Sequence, residues 1–170
     1  MTNLNILHYP HPLLKAHAED VTDFGDELKT FCNTLLETMR DAPGIGITAC
    51  HVGILKRIVV IETEKGKPLF YINPRISWSG TETVTAKEGS VSMPGVIDEI
   101  MRPKQVRVVY NDLDGKMQED EAEGFLAVCL QHEIDQLDGI FWLDRLSRLK
   151  RDRVIKKYKK VHVCSHEGCC

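Results

Sequence analysis

No apolar run in this chain approaches the roughly 20 residues that span a bilayer. Its opening residues, Met1-Thr2-Asn3-Leu4-Asn5, lack the charged and apolar segments of a secretory leader. A membrane role is therefore not expected, and the cytoplasm is the expected location. Aromatic residues make up only 6% of the chain, and there is no internal repeat or low-complexity tract, which argues against solenoids and linker arrays. Cysteines occur at positions 32, 50, 129, 164, 169 and 170 without a regular framework, as expected of reduced thiols rather than a secreted disulfide scaffold. What is present, 170 residues with 42% hydrophobic and 28% charged content, suits one domain with a sizeable core. We place that domain at residues 1–160 and expect the cysteine-rich tail at 161–170 to be flexible.

Hydrophobic periodicity organises the chain. Leu28, Phe31, Leu35, Leu36 and Met39 recur at helical spacing within Asp26–Arg40, a segment that ends at Pro43-Gly44. Strand-like stretches follow at Arg57–Glu62, Leu69–Ile72, Thr81–Thr85 and Val106–Asn111, with turns read at Lys65-Gly66, Asn73-Pro74 and Asp114-Gly115. A further helix is predicted over Gly124–Leu137, where Phe125, Cys129, His132 and Gln136 fall on one stripe. Strands followed by a long apolar helix predict an α+β domain whose helix packs on antiparallel sheet.

That helix carries Gln131-His132-Glu133-Ile134-Asp135-Gln136. In the pattern His-Glu-x-x-His, two histidines one turn apart bind a single metal ion beside a basic glutamate. Here Gln136 stands where the second histidine would be. By itself, a His-Glu pair on an apolar helix reads as a hydrogen-bonded core histidine, and Cys129 reads as a buried core thiol.

Two other segments change that reading. Gly44-Ile45-Gly46-Ile47-Thr48-Ala49-Cys50-His51 matches Gly-x-Gly-x-Ala-Ala-x-Gln except at Thr48 and at its last position. Glu88-Gly89-Ser90-Val91-Ser92 matches Glu-Gly-Cys-Leu-Ser with serine in place of cysteine. With Gln131–Gly139 and the following Phe141-Trp142-Leu143-Asp144-Arg145, three motifs in order and spacing resemble the peptide deformylases. These are metal-dependent amidohydrolases that remove the N-formyl group from the initiator methionine of new polypeptides. The likeness extends over residues 4–160 and implies a peptide deformylase-like α+β fold, with antiparallel sheets around a central motif helix.

The resemblance also implies site roles. Positions 90, 132 and 136 correspond to a thiolate and two imidazoles holding Fe²⁺ or Zn²⁺, so His132 is the only surviving ligand, while Ser90 and Gln136 occupy the other two ligand positions. A neutral hydroxyl and a neutral amide are poor replacements. We therefore expect no tightly bound metal. Glu133 falls at the general acid/base position. His51, at the family glutamine, and the backbone N–H of Val91 fall on the oxyanion side. Gly44 and Gly46 support the site, and Glu88 is expected to pair with Arg102. A rearranged site in which His51 and His132 capture a metal with Glu133 or Cys50 would require the loop at 51 to move. Two functions stay open: a deformylase-like protein that has lost efficient deformylation, and an active deformylase with an atypical metal site.

Arg145–Lys160 carries nine Lys and Arg against one acid, Asp152, in a chain of formal net charge −3. The plain reading is a docked helix with a solvated basic face. Resemblance to bacterial deformylases adds contact with ribosomal RNA, because phosphate attraction needs charge more than sequence detail. Formyl-Met peptide N-termini and the ribosome are the expected partners, with no sequence-specific DNA contact. The tail from Cys164 to Cys170 gathers Cys164, His166, Cys169 and Cys170 as possible Zn²⁺ ligands.

Overall fold

The computed structural model describes residues 3–163. Helix α2 (Gly124–Leu137) is the element around which the others are arranged, with Ala127, Leu130, Ile134 and Leu137 buried. It packs against a five-stranded antiparallel sheet whose order is β1 (Gly46–Thr48), β2 (Ile58–Ile61), β3 (Leu69–Ser79), β6 (Gln105–Asn111) and β7 (Met117–Glu123). A separate hairpin pairs β4 (Thr83–Ser90) with β5 (Met93–Pro103). Helix α1 (Asp26–Asp41) buries Leu28, Leu35, Leu36 and Met39 and carries Asp26 and Glu27 in its first turn, where acids complement the helix dipole. Helix α3 (Arg148–Val163) lies on β5. The expected α+β arrangement of antiparallel sheet and motif helix is the one observed.

Three apolar clusters fill the interior. One lies under α1 and includes Leu35, Met39, Ile47, Val60 and Ile72. A second joins α2 to the sheet through Leu130, Ile134, Val59, Tyr71 and Val108. The third, with Leu14, Met93, Ile100, Phe141, Trp142 and Tyr158, holds α3 and the hairpin together. Fully burying one such side chain stabilises the fold by about 1.5 to 3 kcal/mol.

Several expectations are corrected. Asn73-Pro74 is not a turn: β3 passes through it with a register shift between Ile72 and Arg75. Asn73 takes the left-handed φ of 54°, and its side chain accepts from Val21 N–H at 2.7 Å and donates to Val21 O at 2.9 Å. The hairpin strand predicted at Thr81–Thr85 is Thr83–Ser90, so it runs into the second motif. Strands β1, β5 and β7 were not predicted. Cys129 is no enclosed core thiol; it is partly exposed and faces a cavity. Helix α3 continues to Val163, three residues into the segment read as tail. The proposed ligands Cys164, His166, Cys169 and Cys170 lie outside the described residues. Among the described residues, no helix is long and apolar enough to cross a membrane.

Candidate active site

A cavity of about 490 Å³ opens between the three motifs. The Gly44–Gly46 segment forms one wall, the end of β4 with the start of β5 forms the second, and Phe125, Cys129, His132 and Glu133 of α2 form the third. His51 closes the floor. The motif glycines permit this approach. A Cβ on Gly46 would lie 2.4 Å from Glu133 Oε1, and one on Gly44 would lie 2.7 Å from Val91 Cγ1.

Behind the cavity runs a chain of charges that is buried at Glu88, Arg102 and Asp135 and reaches the surface at Arg145. Arg102 donates from Nε to Glu88 Oε2 at 2.6 Å and from Nη2 to Oε1 at 2.9 Å, the pairing that the resemblance implies. Arg102 Nη1 also donates to Asp135 Oδ2 at 2.9 Å, and Arg145 holds the same carboxylate at 2.8 and 2.6 Å. Glu88 Oε1 in turn lies 2.8 Å from His132 Nδ1. Burial opposes the charge on Glu88, but the hydrogen bonds from His132 and Arg102 outweigh it and hold its carboxyl below the usual range. An ionised Glu88 only accepts, so His132 carries its proton on Nδ1 and presents Nε2 to the cavity. Burial also opposes a charged His132, yet Glu88 and Glu133 together raise its pKa.

Glu133 is buried, and its Oε2 has no hydrogen-bond partner. Burial pushes its carboxyl up to about 7, partly opposed by the nearby His132. Such a group exchanges protons near neutrality, as a general acid/base requires.

His51 is held in one tautomer. Thr48 N–H donates to His51 Nδ1 at 2.9 Å, and Thr48 Oγ1 lies 3.0 Å from the same nitrogen. A backbone N–H can only donate, so Nδ1 accepts and the neutral ring carries its proton on Nε2. Burial, reinforced by His132, lowers the His51 pKa to about 3 and keeps the ring neutral. Its Nε2 has no partner. The floor therefore offers one fixed, unsatisfied N–H donor.

Positions 90 and 136, where the resemblance implies two metal ligands, differ from that order. Ser90 lines the cavity, and its Oγ accepts the backbone N–H of Ser92 at 3.1 Å. Gln136 does not line it: its side chain points the other way, and Nε2 donates to Leu14 O at 2.6 Å. The predicted stripe thus splits, with Phe125, Cys129 and His132 at the cavity and Gln136 at the N-terminal turn. Cys50, considered as a rescue ligand, belongs to the apolar cluster under the sheet and does not line the cavity. Among the described residues, no three His, Cys, Asp or Glu side chains come together as a metal-binding group. The residues present do not fit a thiolate and two imidazoles on one ion.

Sequence reasoning missed two contributors. Cys129 was read as core, although its helical phase with His132 placed it on the cavity face. Asp135 has no role in the motif pattern, and no sequence signal links it to both Arg102 and Arg145.

A buried His-Glu pair on a central helix, facing a glycine loop and a β-hairpin end, is the arrangement of the amidohydrolase scaffold that the three motifs resemble. The profile of the polypeptide deformylase family matches residues 3–152. A Brucella suis protein named "peptide deformylase-like" is 56% identical over 162 residues, covering 95% of this chain and 99% of that protein. A second Brucella suis protein, named "peptide deformylase", is 45% identical over 156 residues, covering 89% of each. The crystal structure of a peptide deformylase from Legionella pneumophila superposes with a TM-score of 0.91 at 35% identity, covering 99% of this chain and 100% of that one. This chain belongs to the peptide deformylase family.

Proposed function

We propose that the chain is a deformylase-like protein that receives N-acylated peptide ends, formyl-Met above all, without efficient metal-dependent deformylation. The observation that carries this reading is the hydrogen bond of Gln136 to Leu14 O, which turns position 136 away from the cavity that His132 and Ser90 line. Neither Fe²⁺ nor Zn²⁺, the family's metal, is held tightly by the family's three positions in this reading. Recognition survives because its groups are of another kind. His51 Nε2–H and the backbone N–H of Val91 donate to the acyl oxygen, each a donor that in a working enzyme contributes about 3 kcal/mol. Exposed Ile45, Ile97 and Phe125 at the rim receive apolar side chains of the peptide.

Brucella suis holds both a deformylase-like relative and a deformylase, which supports a division between binding and turnover. The cytoplasm is the proposed setting, with the ribosome approached through Arg145–Lys160. Among the described residues, Arg145 and Lys150 of that segment pair with carboxylates, so most of its cations stay available for phosphate. An active enzyme with an atypical metal site is the second reading, favoured by the unpartnered Glu133 carboxyl near neutrality.

Isothermal calorimetry in chelator tests the binding reading. Formyl-Met-Ala-Ser is expected to bind more tightly than Met-Ala-Ser, whose free amine offers no acceptor to His51. Equal affinity for the two peptides, or no binding, would overturn it.

A further inference from the structure

We infer that Ser90, His132 and Glu88 act as nucleophile, base and orienting carboxylate in a metal-independent site that hydrolyses short acyl esters through an acyl-serine. The inference concerns the cavity of the peptide-binding reading and rests on it in one respect, that no metal ion is held at Nε2 of His132. Glu88 Oε1 lies 2.8 Å from His132 Nδ1; as an acceptor it fixes the ring proton there and leaves Nε2 as the basic nitrogen toward the cavity. Arg102 holds the same carboxylate from behind through Nε and Nη2. Ser90 follows two residues later on β4, past a register shift that re-aims the chain between them. Ser90, Glu88 and His132 all line the cavity. One strand thus brings a carboxylate to one nitrogen of the ring and a hydroxyl to the cavity that the other nitrogen faces.

The remaining parts of an acyl-transfer site are present. Ser90 Oγ accepts the Ser92 N–H at 3.1 Å, which leaves its own hydrogen to be donated. Nucleophile–base hydrogen bonds are often looser before substrate arrives. Charge on the acyl oxygen meets two donors: the N–H of Val91, the amide that follows the nucleophile, and His51 Nε2–H, buried on the floor without a partner. In the first step the Ser90 hydroxyl gives its proton to His132 Nε2, and its oxygen bonds the acyl carbon as the carbonyl pair moves onto oxygen. That pair returns as the ester C–O bond breaks, and the alcohol leaves with the proton from Nε2. Water repeats the sequence: its proton goes to Nε2, its oxygen bonds the acyl carbon, and Ser90 departs with the proton. An alcohol of low pKa leaves the tetrahedral adduct more readily than the serine oxygen does, whereas an amine leaves less readily. The substrates are therefore esters, and formyl-peptide amides stay bound without sustained turnover.

Hydrolysis of p-nitrophenyl acetate by the full chain in chelator tests this, together with mass spectrometry after reaction with a fluorophosphonate, whose fluoride an activated serine displaces. Nitrophenolate release and one phosphonate per chain, mapped to Ser90, are expected. Ser90→Ala should lose both. Unchanged hydrolysis in that variant, or a label on any other residue, would overturn the inference. Glu88, which acts through His132, is a positioning residue: Glu88→Gln should lower kcat by about 10²-fold or more with KM little changed, because the imidazole loses its fixed tautomer. An unchanged kcat would remove Glu88 from the constellation and overturn it. Because Glu88→Gln also disturbs Arg102, Ser90→Ala, which removes a single oxygen, is the deciding variant. Hydrolysis that vanishes in chelator and returns with Zn²⁺ would overturn both this inference and the binding reading. Calorimetric binding of formyl-Met-Ala-Ser by a chain that neither hydrolyses the ester nor takes the label would overturn this inference alone.

Discussion

Adjacent turns of α2 have diverged. At His132 and Glu133, a carboxylate fixes the imidazole, burial raises the glutamic acid, and Gly46 clears space for the Glu133 carboxyl. One turn later, Gln136 has been absorbed into the scaffold and ties the helix to the N-terminal turn through Leu14 O. The comparison teaches that support and ligation are separable. The chain Arg145–Asp135–Arg102–Glu88–His132 is intact around a centre that, in the proposed reading, keeps one of its three ligands.

The support should fail hardest when cut. Arg102→Ala leaves Glu88 and Asp135 short of a buried partner and is expected to cost about 3 to 5 kcal/mol in urea unfolding. A loss below 1 kcal/mol would show that the network does not hold the hairpin to the helix.

Gly46→Ala forces a methyl group against Glu133 Oε1. Overpacking of this kind costs about 1 to 3 kcal/mol, and formyl-peptide binding should fall with it; unchanged calorimetric affinity would sink the proposed cavity. Gln136→Ala tests the other turn. It removes a buried donor and leaves Leu14 O unsatisfied, for a loss of about 1 to 3 kcal/mol in thermal or urea unfolding, with peptide affinity unchanged. Should affinity fall instead, Gln136 would belong to the site after all.

The smallest effects are pH-dependent. Glu133 has its folded pKa raised from 4.5 to about 7, so its contribution to stability is fully present below the unfolded value and is lost as pH rises through about 7. Glu133→Gln should therefore flatten the stability profile between about pH 4.5 and 7. His51 runs the other way. Its folded pKa is depressed to about 3, so its contribution is present above 6.5 and is lost as pH falls from there toward 3. Urea midpoints across pH 4–9 check both, and identical profiles for Glu133→Gln and the unmodified chain would contradict the assignment.

The sequence made some of this architecture readable and concealed the rest for physical reasons. Helix α1 announces itself by the periodicity of its one buried face, and α2 by apolar residues along a length that is buried on most sides. Strand β5 hides behind Pro94 and Gly95 and a charged outer face, and β7 is an edge strand in which only Ala122 is buried. Strand β1 has three residues inside a glycine loop. His132, Glu133, Ser90 and His51 were legible from motif spacing. The direction of Gln136 was not, since it depends on a carbonyl 122 residues away in sequence. The tautomer of His51 was equally hidden, because it follows from one backbone N–H at Thr48.

The most direct test of lost deformylation is formate release from formyl-Met-Ala-Ser by protein loaded anaerobically with Fe²⁺ or Ni²⁺. The account predicts no sustained release from the unmodified chain, and release gained when Ser90→Cys is combined with Gln136→His. Sustained release by the unmodified chain, abolished in Glu133→Ala, would contradict it.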